Sequence, residues 1–154
     1  LYATIQNNSV KNSAGSGIRL NTNAGDPTLN GIVTGNAVTA PISATYGIQA
    51  VQGNNVGFTG NTNLQISGNT STGGTGGGNT FPGIGLRKFG TASNEFSIVG
   101  LTPSPATNAQ MESYVAGINT SAPGTFGTNG VAAVNGSSSN WTAIASVPQP
   151  PPLP

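Results

Sequence analysis

The sequence predicts an all-β solenoid, with short strands stacked turn upon turn. Three observations predict it. One short phrase recurs through the first 90 residues: an apolar residue, then Asn or Gly, then Asn, then a loop, then Gly-Ile. The apolar runs are short and β-branched, which suits strands and not helices. Gly, Asn, Thr and Ser together make up half of the 154 residues, and these are the residues that tight corners and side-chain ladders need.

The copies are Ile5-Gln6-Asn7-Asn8-Ser9-Val10 leading to Gly17-Ile18-Arg19-Leu20, Val33-Thr34-Gly35-Asn36-Ala37-Val38 leading to Gly47-Ile48-Gln49-Ala50, and Ile66-Ser67-Gly68-Asn69 leading to Gly83-Ile84-Gly85-Leu86. A shorter copy, Phe58-Thr59-Gly60-Asn61, lies between the second and third. Asn8 to Asn36 is 28 residues and Asn36 to Asn69 is 33, while the Gly-Ile phrases are 30 and 36 apart. Periods of this length mark stacked units. Period-two alternation puts Ile5, Asn7 and Ser9 on one side of the strand, with Gln6, Asn8 and Val10 on the other. In the Gly-Ile phrase Gly turns the chain and Ile enters the core. Residues 1–100 therefore form the repeat region, with strands at Ile5, Val33 and Ile66 stacked in register. Loops at 13–16, 39–45 and 70–80 project from one side, and the Gly-rich run at 72–79 reads as a flexible loop.

Residues 101–118 break the pattern. Thr102-Pro103-Ser104-Pro105 stops the strands. Thr107 and Gln110 form a capping box that opens a helix over about 108–117. Met111, Tyr114, Val115 and Ile118 make one apolar stripe, which suits a helix covering the open end of a strand stack. Residues 119–147 are Gly/Ser-rich, with short strands expected at 131–134 and 141–145. Residues 148–154 form a polyproline II tail, expected to pack on this chain or a neighbour.

The Asn phrase followed by Gly-Ile, three or four times over, resembles the right-handed parallel β-helix repeat family, the pectin-lyase-like fold. The resemblance covers residues 1–100. The closing run Phe96-Ser97-Ile98-Val99-Gly100-Leu101-Thr102-Pro103 and the capped helix look like the C-terminal end of a bacterial secreted or surface β-helix protein. The resemblance implies three to four rungs, inward Ile, Val and Leu ladders, stacked corner Asn residues and a capping helix. It does not choose a function, because the family includes polysaccharide lyases and hydrolases, tailspikes, adhesins and autotransporter passengers.

Composition narrows the function. A net charge of +1 separates this chain from disordered sequences of equally low apolar content. Four basic residues, Lys11, Arg19, Arg87 and Lys88, make no electrostatic footprint for nucleic acid. Apolar runs of four or five residues do not span a membrane. The sequence begins at Leu1, in mid-repeat and without Met, and reads as a processed piece of something longer. With no Cys there is no disulfide or thiolate chemistry. An uncharged Ser/Thr/Asn/Gly surface points to an extracellular or cell-surface setting.

Catalytic candidates are few. Asp26, Glu95 and Glu112 are the only carboxylates, and they fall in a loop, at the end of the repeats and on the helix. Polysaccharide-cleaving chemistry needs such groups clustered on one face. There is no His, and no Ser has a plausible partner. The Gly73–Asn79 run lacks the Asp of a calcium nonapeptide and the Lys of a phosphate loop. Five Asn-x-Ser/Thr sequons, at Asn7, Asn69, Asn119, Asn135 and Asn140, compare with about four by chance in this composition. No cofactor or metal is expected. Trp141, Pro150, Pro151, Pro152 and Leu153 are the candidate interface residues, with core packing as the other reading of Trp141. Tyr46 and Trp141 are the candidate glycan-binding aromatics. The expected function is a non-enzymatic structural protein of a bacterial surface fibre, adhesin or outer-membrane-associated complex. Its partners would be other copies of itself or a larger assembly. The alternative is a carbohydrate-binding or polysaccharide-degrading β-helix protein whose active site lies outside this chain.

Overall fold

The computed structural model describes residues 1–22, 27–39, 41–43, 45–53, 60–76, 79–88, 95–120, 131–135 and 141–152, with backbone alone at 75–76, 79–80 and 131–135. The chain returns to the same three strand positions in successive turns. The first turn is β1 (Tyr2–Gln6), β2 (Ser9–Lys11) and β3 (Ile18–Thr22). The second is β4 (Leu29–Thr34), β5 (Ala37–Thr39) and β6 (Ile48–Gln52). The third is β7 (Thr62–Ser67), β8 (Thr70–Ser71), a small excursion of β9 (Thr75–Gly76) and β10 (Asn79–Thr80), then β11 (Ile84–Lys88). There follow β12 (Phe96–Val99), α1 (Asn108–Ile118), β13 (Val131–Asn135) and β14 (Thr142–Ile144).

Three parallel sheets result, ordered β1-β4-β7-β12-β14, β2-β5-β8 and β13-β11-β6-β3. This mostly-β arrangement with one short helix is compatible with a parallel β-helix. The repeats set the register. Ile5 pairs with Val33 and Val33 with Ile66, while Ile18 pairs with Ile48 and Ile48 with Ile84. All three sheets feed one core, with Leu29, Val33, Val38, Ile48, Leu64, Ile66, Leu86 and Ile98 each at 2% exposure or less. Glycine is needed at Gly47 because a Cβ there would collide with Ser71 Oγ and the Thr72 carbonyl of the next turn.

The corner between the first and second sheets is where the repeated Asn phrase sits. Asn7, Gly35 and Gly68 occupy it with φ of 55°, 66° and 64°, a left-handed conformation that Gly and Asn tolerate best. Their N–H groups donate one turn onward, to the carbonyls of Thr34, Ser67 and Ile118. This corner corrects the alternation expected through the phrase. Ile5 and Val10 both pack against the core, because the left-handed residue between them swings the chain from one sheet to the next.

The helix forms where the capping box places it. Gln110 N donates to Thr107 Oγ1 (3.4 Å) and Thr107 N to Gln110 Oε1 (2.9 Å), closing the box. Met111 and Val115 are fully buried in the same core cluster as the strands. The chain then resumes its path. Ile118 and Asn119 rejoin the corner, Thr120 bridges to Thr70, and β13 pairs with β11 so that Val131 takes the register position of Ile84. β14 adds to β12 in the first sheet.

The Gly-rich run also holds structure. β9 and β10 pair antiparallel, with Asn79 opposite Gly76 and Thr80 opposite Thr75, and Gly77 and Gly78 lie outside the described residues. Its base is tied down by Gly74 N donating to Thr45 O (2.9 Å) and Phe81 N to Gly74 O (3.2 Å).

Candidate assembly surface at the first turn

Next to each left-handed corner residue stands an Asn, and these four carboxamides form a ladder. Asn8 donates both its backbone N–H and its Nδ2–H to Asn36 Oδ1, each at 3.0 Å. Asn36 repeats both bonds to Asn69 Oδ1 at 3.0 Å, and Asn69 repeats them to Asn119 Oδ1 at 3.0 and 2.9 Å. The remaining amide hydrogens reach backbone carbonyls: Asn36 Nδ2 to Ile5 and Thr34, Asn69 Nδ2 to Val33 and Ser67, and Asn119 Nδ2 to Ile66 and Val115. Asn36 and Asn69 are buried, and their hydrogen bonds satisfy both ends of the amide. Asn119 belongs to this column 50 residues after Asn69, although the sequence marks it only as a sequon.

The ladder reaches the surface at Asn8, which is exposed. Among the described residues β1, β2 and β3 are each paired on one side only. Ile5, Val10 and Ile18 line the mouth of a cavity of about 560 Å³ together with Thr4, Asn8, Ser9, Gly17 and Arg19. Leu1 and Tyr2, at the start of this first turn, are 68% and 45% exposed. This end of the core is open, with half-buried Ile5 and Val10 among polar neighbours and Ile18 buried behind them, and among the described residues its strands present unpaired edges.

At the opposite end β13 and β14 are also paired on one side only among the described residues, but the core is filled. Trp141 is fully buried, its ring centroid 4.9 Å from that of Phe96, and its Nε1–H donates to Asn108 Oδ1 at 2.7 Å. Ala106 and Trp141 exchange two backbone hydrogen bonds (2.8 and 2.9 Å), tying the segment before β14 to the segment before α1. Trp141 therefore packs in the core, and no face of its ring is left to stack on a sugar or a second protein.

The other expected site residues are spread apart. The tail folds back over its own chain. Val147 is buried, and 147–150 line a groove of about 160 Å³ with Tyr2, Ala3, Thr4, Asn30 and Ile32 of β1 and β4. Pro150, Pro151 and Pro152 are exposed, and Leu153 lies outside the described residues. Tyr46 is half-buried over Gly85 of the third sheet, with the edge of Phe81 5.1 Å from it between centroids. Burial raises the Tyr46 phenol above its ordinary value, and the Arg87 charge partly offsets this. Gln49 stands in register with both Arg19 and Gly85, so an outer-face row runs from exposed Arg19 through half-buried Gln49 to Tyr46. Glu95 is exposed before β12 and Glu112 half-buried on α1, while Asp26 lies outside the described residues.

One polar cluster is buried where the third sheet hands over to the first. Thr22, Gln52 and Lys88 share register positions and point inward, with exposures of 4%, 0% and 1%. Gln52 Nε2 donates to the carbonyls of Gly60 (2.7 Å) and Glu95 (2.9 Å). Gln52 Oε1 and Thr62 Oγ1 have no hydrogen-bond partner there. Burial lowers the Lys88 ammonium below its ordinary value, against the opposing pull of the Glu95 charge.

Comparison with family models, with curated proteins and with solved structures finds no match. No helix among the described residues is long and apolar enough to cross a membrane.

Proposed function

We propose that this chain is the closing portion of a right-handed parallel β-helix and serves a non-enzymatic, structural role. Its setting is an extracellular bacterial surface fibre, adhesin or outer-membrane-associated complex. The observation that carries the reading is the contrast between the ends of the core. At one end α1 and Trp141 fill the core beside the outer edges of β13 and β14. The other has no helix over it among the described residues and leaves half-buried Ile5 and Val10, with Ile18 behind them, at an open mouth beside β1, β2 and β3. Exposed apolar surface rimmed by strand edges is a mark of an interaction site. The uncharged, Asn-rich surface supports the extracellular setting. The test is direct. Purified chain should bind a hydrophobic dye and associate as its concentration rises, and Ile5→Ser should reduce both. A monomer that binds no dye at any concentration would count against the proposal.

A second reading has one observation of its own. The row of Arg19, Gln49 and Tyr46, with Arg87 near the phenol, pairs an aromatic with cationic and amide groups on an outer sheet face. That combination suits a polysaccharide, an acidic one above all. Glycan-array binding that disappears with Tyr46→Ala would favour this reading. Absence of binding to any glycan would remove it.

A further inference from the structure

We infer that the partner of the first turn is one more turn of this same repeat: a strand, a left-handed Asn or Gly, a corner Asn and a second strand, running parallel to β1 and β2. The inference rests on the assembly reading above and names its partner. Asn36, Asn69 and Asn119 each accept, at Oδ1, the backbone N–H and the Nδ2–H of the Asn one turn earlier. Asn8 donates in this pattern, but its Oδ1 accepts no hydrogen bond among the described residues. A corner Asn on an adjoining turn supplies the two donors that the pattern calls for.

The backbone agrees. Leu1 O accepts from Asn30 N (2.8 Å) and Asn7 N donates to Thr34 O (3.1 Å), so the odd-numbered residues of this segment bond toward β4. Parallel alternation then turns the N–H and C=O of Tyr2 and Thr4 to the opposite edge, spaced for a second parallel strand. Ile5, Val10 and Ile18 present the apolar floor on which inward side chains of an added turn would rest, as Val33, Val38 and Ile48 rest on them now.

Direction makes a second copy a poorer fit to this edge than an added turn. A second copy docking through its own first turn would be related by a two-fold axis, would pair β1 antiparallel, and would set one Asn8 acceptor against another. The far end of a second copy offers the outer edges of β13 and β14, but its core is filled by α1 and Trp141, and its corner Asn119 donates its Nδ2 hydrogens to the Ile66 and Val115 carbonyls. Asp at the partner's corner would bring no Nδ2 donor, so the chemistry calls for Asn.

The test titrates ¹⁵N-labelled protein with a synthetic peptide of residues 29–39, which holds one strand–corner–strand unit, and with the same peptide carrying Asn36→Ala. The native peptide should bind roughly tenfold tighter, the worth of one well-made polar contact. A nitroxide at its N-terminus should broaden the amide signal of Tyr2 and not that of Lys11. The Asn8→Ala protein should bind both peptides alike. Equal affinity of the two peptides for the unsubstituted protein, broadening at Lys11, no binding, or a two-fold dimer through β1 would each overturn the inference. If dye binding and association persist while the two peptides bind alike, the assembly reading stands and this one falls. If the dye does not bind and the chain stays monomeric, the assembly reading itself fails.

Discussion

The two ends of the stack meet one problem in two ways. At the far end α1 is inserted between β12 and Asn119, and Met111, Val115 and Trp141 are fully buried in the core, while β13 and β14 carry the parallel register to their own outer edges. At the first turn the register runs unbroken to the edge, and Leu1, Tyr2 and Asn8 are exposed. The contrast teaches that closing a strand stack takes a change of structure, since one more strand of the same kind only moves the edge outward. An end that keeps its register, its corner amide and its apolar floor has the features of an interior position.

Substitutions at matched positions break or sharpen that contrast. The largest effect is expected at the closed end. Trp141→Ala removes a fully buried ring and leaves Asn108 Oδ1 without its donor, so urea unfolding should show a loss of about 3–5 kcal/mol. Next is the middle of the ladder. Asn69→Ala strips partners from the buried Asn36 amide and from the Val33 carbonyl, and roughly 3 kcal/mol should be lost by the same measurement. Thr107→Ala removes the helix cap and should cost about 1 kcal/mol, with amide exchange rising first in α1. Asn8→Ala makes the same change as Asn69→Ala but at the open end, and should cost only about 0.5–1 kcal/mol, because water satisfies what remains. If Asn8→Ala proved as costly as Asn69→Ala, the ends would not differ as described.

The smallest effect is on pH dependence. Burial holds folded Lys88 below its ordinary 10.5, so between those two values the unfolded chain binds more protons than the folded one. Stability should therefore rise with pH through that window and level off above 10.5. Tyr46 opposes this from its ordinary 10.0 upward, because its folded value is raised. The rise should accordingly be read in a Tyr46→Phe background, and Lys88→Met should flatten it.

The register was legible because each repeat carries two fixed points, a corner Asn and a Gly-Ile pair. Strand pairing follows once both recur. The helix was legible because Thr107 and Gln110 sit three apart at its start. Asn119 was not legible as a corner residue. The helix lengthens its spacing from Asn69 to 50 residues, and its Nδ2 caps Val115 O on that helix while completing the column. Strict alternation gives the wrong sidedness for the Asn phrase because it assumes an extended chain, and Asn7 is left-handed. Trp141 lies outside the repeats, where sequence alone does not separate a core ring from an interface ring. The path of the tail over β1 and β4 depends on contacts spanning nearly the whole chain, which no local pattern encodes.

The corner ladder also has a polarity. In each step the carboxamide of one turn donates and that of the next accepts, so the amide dipoles of Asn8, Asn36, Asn69 and Asn119 line up head to tail. Aligned amides polarise one another, and each added link strengthens those already made. The column therefore carries a partial negative pole at Asn8, and it should favour electropositive groups there before any shape is matched.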